Sequence, residues 1–251
     1  MNRLAKTFFT IALAVTTTLL HAQPPEKHIH DREQIWLGFF NQTRFSDRWG
    51  MWADIHYRLT DDFANRPFQL LIRPAVTYFI KDNLRLSVGH AMITHYPAKG
   101  LNTTRFEHRP WQQIWWNQKY TGLTTLQWLR LEQRFVEKVV ADEKVSGHNY
   151  TFRVRYNFGF FIPLKGKEMT AKTPFAAILN EVFINLGDNV VYNTFDQNRL
   201  FLGFGYQFTS HLNAQFGYMN IYQQEPSGNN YLSTHALRLF VFHTLDLRKD
   251  D

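Results

Sequence analysis

The feature that most constrains this chain is a period of two. Between Thr121 and Lys138, Leu129, Leu131 and Phe135 alternate with Arg130, Glu132 and Arg134. Between Tyr150 and Leu164, Phe152, Val154, Tyr156, Phe158 and Phe160 alternate with Arg153, Arg155, Asn157 and Gly159. Trp49–Leu59 and Phe195–Phe208 repeat the pattern, with Asp54, His56 and Arg58 against Ile55 and Tyr57, and Arg199, Gly203 and Gly205 against Leu200, Leu202 and Phe204. Successive side chains of a strand point to opposite faces, so each stretch carries one apolar and one polar face. A helix would scatter the same charges around its circumference. The stretches run roughly 11 to 18 residues where soluble strands average five or six.

Seven further windows complete the series: Glu33–Phe45, Phe68–Ile80, Leu84–His95, Arg105–Trp116, Pro174–Leu186, Leu212–Gln224 and Tyr231–Leu247. Their connections alternate between short (Ser46–Arg48, Lys81–Asn83, Asn117–Tyr120, Thr209–His211) and long (Thr60–Pro67, Pro97–Thr104, Val139–Asn149, Gly187–Thr194, Glu225–Asn230). Short turns at one end and longer loops at the other are expected of an all-β, single antiparallel up-and-down transmembrane β-barrel. Lys165–Thr173 is longer than its place among the short turns suggests. Because single-chain bacterial barrels normally have an even number of strands, eleven windows point to ten or twelve strands, one window being split, missed or outside the wall.

Composition agrees. Aromatic residues reach 16% while charged residues hold at 20%, as expected where only alternate residues meet lipid. No stretch reaches the 18 or more apolar residues of a helical span. The absence of cysteine excludes disulfides, thiolate metal sites and lipid attachment at Cys. Arg3 and Lys6, an apolar run from Thr7 to Leu20 and the Leu20-His21-Ala22 site read as a secretory signal peptide over residues 1–22. Residues 23–32 then form a flexible lead-in, 33–247 the barrel and 248–251 a tail. Without the signal, 26 Lys and Arg face 21 acids, an excess of five spread along the chain, with none of the basic blocks that mark nucleic-acid binding. The expected partners are outer-membrane lipid and, during biogenesis, the barrel assembly machinery.

The apolar face would meet lipid, where Arg or Lys costs roughly 2–4 kcal/mol at the midplane. Trp49, Tyr96, Trp111, Trp115, Trp116 and Tyr120 lie toward window ends, where interfacial girdles form. On the polar parity, Glu107, Arg109, Arg130, Glu132, Arg134, Arg153, Arg155, Glu181 and Arg199 would form a cross-strand charge lattice inside the barrel, together with Asp54, Arg58, Arg73, Arg85 and Arg238. Such a lattice either plugs a narrow lumen or, since Arg exceeds acid, lines an anion-preferring pore or binding cleft.

The same windows resemble the bacterial family known as domain of unknown function 2490. The carriers are Glu33-Gln34-Ile35-Trp36-Leu37, Arg105-Phe106-Glu107-His108-Arg109, Leu129-Arg130-Leu131-Glu132-Gln133-Arg134 and Arg153-Val154-Arg155-Tyr156, followed by Asn180-Glu181-Val182-Phe183, Asp196-Gln197-Asn198-Arg199 and Phe216-Gly217-Tyr218-Met219-Asn220. The resemblance covers essentially the whole mature chain. It implies an exported outer-membrane barrel of Bacteroidetes-type bacteria and carries over no activity or catalytic residue. One departure is the C-terminus. Many such barrels end on an aromatic residue, whereas here Phe240 and Phe242 would have to supply the aromatic part of an assembly signal.

Catalytic patterns are weak. No His is followed by Ser two positions later, the local dyad of barrel lipases, although Ser233-Thr234-His235 has the reverse order. Asp61-Asp62 sits in a loop, and His28-Ile29-His30-Asp31 spaces possible metal ligands along an extended segment. The expectation is a non-enzymatic barrel without cofactor or metal, a narrow channel or structural envelope component with an Arg-rich lumen. The alternatives are a barrel enzyme acting on lipid or envelope polymer and a soluble secreted β-barrel that binds a ligand.

Overall fold

The structure, a computed structural model, describes residues 26–248; the signal-peptide segment and the last three residues of the tail lie outside the described residues. Eleven strands close into one barrel: β1 His28–Arg44, β2 Trp49–Thr60, β3 Arg66–Lys81, β4 Leu84–His95, β5 Arg105–Tyr120, β6 Leu123–Val140, β7 Glu143–Pro163, β8 Thr173–Leu186, β9 Phe195–Gln207, β10 Leu212–Gln224 and β11 Asn230–Asp246. Each strand pairs antiparallel with its sequence neighbours. The ring is then sealed by a parallel ladder between β1 and β11, from His28↔Asn230 to Arg44↔Asp246.

The expectation of ten or twelve strands is therefore corrected: all eleven windows are wall strands. An odd number of up-and-down strands leaves the first and last running the same way. A parallel ladder satisfies their edge N–H and C=O groups nearly as well as an antiparallel one. Residues 28–32 belong to β1 and not to a flexible lead-in.

The long loop expected at Val139–Asn149 is replaced by a hairpin. The chain reverses at Ala141 and Asp142, whose φ values of 49° and 63° fit a primed two-residue turn that matches strand twist. The first residues of β7 are exposed. The anomalous 164–172 connection has a structural role. Gly122 donates its N–H to the Lys167 carbonyl at 2.9 Å, and Met169 packs against the interior hydrophobic cluster, drawing the segment across the short-turn mouth.

The parity map holds around the barrel. Leu200, Leu202 and Phe204 are exposed on β9, Phe216 and Tyr218 on β10, and Tyr156 on β7, while Arg153 and Arg155 are buried inside. Two corrections concern the aromatic girdle. Trp49 and Tyr120 do lie exposed near the short-turn end. Trp111, however, is fully buried, and Trp115 lines the lumen, because β5 turns its odd-numbered residues (Glu107, Arg109, Trp111, Gln113) inward.

Large rings fit inside because glycines on adjoining strands leave them flat against the wall. A methyl on Gly89 would stand 2.7 Å from the Trp111 ring, and one on Gly38 2.7 Å from Phe240. The cross-strand pair Gly203↔Gly217 likewise underlies Phe201, and Gly205 underlies Phe175. These shelves place aromatic surface inside the barrel without filling its axis.

Candidate functional site: the charged interior

All nine residues expected to form the lumen lattice face inward and are brought together. Three carboxylates organise most of it. Glu107 accepts Arg109 Nη2 and Arg134 Nε at 2.7 Å each on Oε1, while His95 Nε2 meets its Oε2 at 2.9 Å. Glu132, with no exposed surface, accepts Arg153 at 2.6 Å and Arg155 at 2.5 Å; Arg109 stands at 3.5 Å and Arg130 at 3.9 Å. Glu181 accepts Arg155 Nε at 2.7 Å and has Arg199 at 3.9 Å. These links run strand to strand because the register sets Glu132 opposite both Trp111 on β5 and Arg153 on β7.

Two members, Asp196 and His95, lie outside the lattice that parity outlines. Asp196, which binds Arg153 at 2.8 Å, lies on the parity opposite to Arg199. A bulge between Phe183 and Ile184 of β8 pairs Phe195 and Gln197 with adjacent residues and turns Asp196 inward. His95 closes β4 on the same parity as the inward Arg85. It bridges Gln69 Nε2, at 2.8 Å from Nδ1, to Glu107. Asp54 forms a separate node, accepting Arg73 Nε at 2.9 Å and Trp52 Nε1 at 2.7 Å, with His56 at 3.2 Å.

A second set of arginines is held differently. Arg58 donates to the Gln69 side-chain carbonyl at 2.6 Å, Arg130 to Gln113 at 2.7 Å, Arg199 to Gln197 at 3.3 Å and Arg238 to Gln215 at 2.8 Å. Each also lies over an aromatic ring: Arg58 is 3.5 Å and Arg199 4.9 Å from the Trp36 centroid, Arg130 4.5 Å from Trp111, and Arg238 3.4 Å from Phe201. A glutamine carbonyl and a ring face orient a guanidinium without cancelling its charge; Arg130 and Arg199 have a carboxylate only at 3.9 Å, and Arg58 and Arg238 have none within 4 Å among the described residues.

The interior encloses a cavity of about 760 Å³ whose lining runs from Arg32 and Glu225 at the long-loop end to Asn213 and Thr244 at the short-turn end. Among the described residues, twelve arginines and Lys119 reach its surface, against Glu181 and Glu225. Glu107, Glu132, Asp54 and Asp196 are absent from that lining, so they anchor the guanidinium groups from the wall side.

The remaining candidates do not assemble. His235 engages Tyr218 OH at 2.5 Å and Asp31 at 3.4 Å, while Ser233 accepts Asn220 Nδ2. Asp61 is paired with Arg66 at 2.7 Å, whose hydrogen bond holds its carboxyl below the usual range. Among the described residues no group of three His, Asp or Glu side chains is placed to hold a metal, and His28-Ile29-His30-Asp31 is part of β1.

A closed wall, an apolar exterior and a charged axial cavity define a β-barrel with an arginine-rich interior. The chain belongs to the family described as Protein of unknown function (DUF2490), whose model matches residues 33–232. An uncharacterized protein of Methylorubrum extorquens is 28% identical over 215 residues, covering 83% of this chain and 86% of its own. Among solved structures, the NanC porin in a rhombohedral crystal form is similar with a TM-score of 0.45 and 14% identity, over 84% of this chain and 99% of that one.

Proposed function

We propose that this chain is an outer-membrane barrel, exported through the segment Met1–Ala22, that acts as a narrow, anion-preferring channel. The observation that carries the reading is the one-sided lining of the axial cavity, among the described residues twelve arginines and one lysine against two glutamates. Clefts lined by one sign of charge concentrate counter-ions, and rings of Arg or Lys are the usual device of anion pores. The lattice is thereby a scaffold: its acids fix the arginines and its surplus charge faces the solute. The exposed Leu202, Phe204 and Phe216 on the outer wall suit a lipid surround.

The test is conductance of the refolded barrel in planar bilayers under a KCl gradient. Open steps with a reversal potential on the chloride side are expected, and Arg130→Ala/Arg134→Ala should reduce that anion preference. A wild-type barrel silent across the applied voltages refutes a constitutive channel. Release of the protein into detergent-free buffer on cell fractionation refutes the membrane location.

A further inference from the structure

The glutamine-held arginines are not spread evenly. Arg58 on β2 and Arg238 on β11 are both register partners of Trp36 on β1 and so flank it at one level of the barrel, the Arg238 guanidinium lying over Phe201 and the Arg58 guanidinium over the Trp36 indole. Arg199 reaches the same ring from β9. Among the described residues no carboxylate comes within 4 Å of Arg58 or Arg238, and the nearest to Arg199 is Glu181 at 3.9 Å. The Nε atoms of Arg58 and Arg238 are buried with no hydrogen-bond partner, and all three side chains line the cavity.

Elsewhere in the same lumen Arg73, Arg109, Arg153 and Arg155 meet carboxylates at 2.5–2.8 Å, so the sequence had that solution available. At Trp36 it uses Gln69, Gln197 and Gln215 instead. Buried charge without a counter-charge is costly and is retained where something else supplies the opposite sign. A monovalent anion brings a single negative charge to three guanidinium groups, even where one carboxylate reaches two of them. A solute with two or more anionic groups can engage several at once through charge-assisted hydrogen bonds.

We propose that Arg58, Arg199 and Arg238 around Trp36 form a binding site for a compact solute carrying at least two carboxylate or phosphate groups. The site names the solute class for the channel reading and rests on it for its biological meaning. Its occupancy can be measured without any current.

The experiment is isothermal titration calorimetry on the full barrel refolded in neutral detergent, at constant ionic strength, with citrate, pyrophosphate and, as monovalent control, acetate. Citrate or pyrophosphate should bind at least tenfold more tightly than acetate, and the stronger of the two identifies the carboxylate or the phosphate class. Gln215→Glu keeps the size and the hydrogen bond to Arg238 but cancels its charge. It should weaken that binding at least tenfold while the heat-modifiable gel shift of the folded barrel persists. Arg58→Gln should do the same from the other flank. Equal affinity for acetate, no binding of either polyanion, or unchanged affinity in Gln215→Glu overturns the site. A barrel that binds but passes no current refutes the channel alone; one that conducts chloride without binding refutes the site alone.

Discussion

Replacing Glu132 by Gln removes one charge from the centre of the lattice while conserving volume. Glu132 has no exposed surface, and four guanidinium groups from β5, β6 and β7 stand within 4 Å of it. Breaking a buried pair by removing one partner costs about 3–5 kcal/mol, whereas an exposed pair contributes about 0–1 kcal/mol. Three of the four cations keep another acid: Arg153 has Asp196, Arg155 has Glu181 and Arg109 has Glu107. Only Arg130 loses its sole carboxylate, so the low end of the range, about 3 kcal/mol, applies. With a guanidinium-chloride slope of about 4 kcal/mol/M, the unfolding midpoint should fall by roughly 0.75 M. The assay is equilibrium unfolding of the refolded barrel in vesicles, followed by tryptophan fluorescence. Glu137→Gln is the control, because its partner Lys144 lies on the exposed hairpin at 2.8 Å. Its midpoint should shift by no more than about a third of that amount. If Glu132→Gln costs no more than Glu137→Gln, lumen water screens the lattice and its pairs are not structural.

Gly203→Ala would place a methyl 2.5 Å from the Phe216 carbonyl oxygen and against the Phe201 ring. The barrel should lose about 1–3 kcal/mol in the same unfolding assay, and an unchanged midpoint would reject the glycine shelf. Asp142 accepts the N–H groups of Asn102 (2.8 Å) and Thr103 (2.9 Å), which hold its carboxyl below the usual carboxylate range. Because the folded value is the lower one, the tether is fully present above the ordinary carboxylate pKa. It is lost as pH falls through the depressed one. Amide exchange at Asn102 and Thr103, corrected for intrinsic pH dependence, should therefore stay protected at neutral pH and open only in acid. Asp142→Ala should open it at every pH.

Much of this was legible in the chain because parity is a local property. Once β6 is extended, Arg130, Glu132 and Arg134 share a face whatever the rest of the barrel does, and the same holds for Arg153 and Arg155 on β7. The inward position of Trp111 follows from that rule too. The preference of tryptophan for interfaces points the other way, although Trp111 is in phase with Glu107 and Arg109. Asp196 was illegible for the opposite reason, since a bulge breaks the rule at that point, and only the pairing of β8 with β9 reveals it.

What the sequence alone determined is therefore which side of the wall each residue of a regular strand occupies, and hence an apolar exterior around an arginine-rich interior. Tertiary structure decided the strand count, because closing β1 on β11 depends on ladder geometry between segments some 200 residues apart and not on any local pattern. It also decided which arginines meet carboxylates and which meet glutamines. Register sets Arg153 opposite Glu132 but brings Arg58 and Arg238 to either side of Trp36. A shift of one residue would invert the faces, and a shift of two would keep them while exchanging every ionic partner.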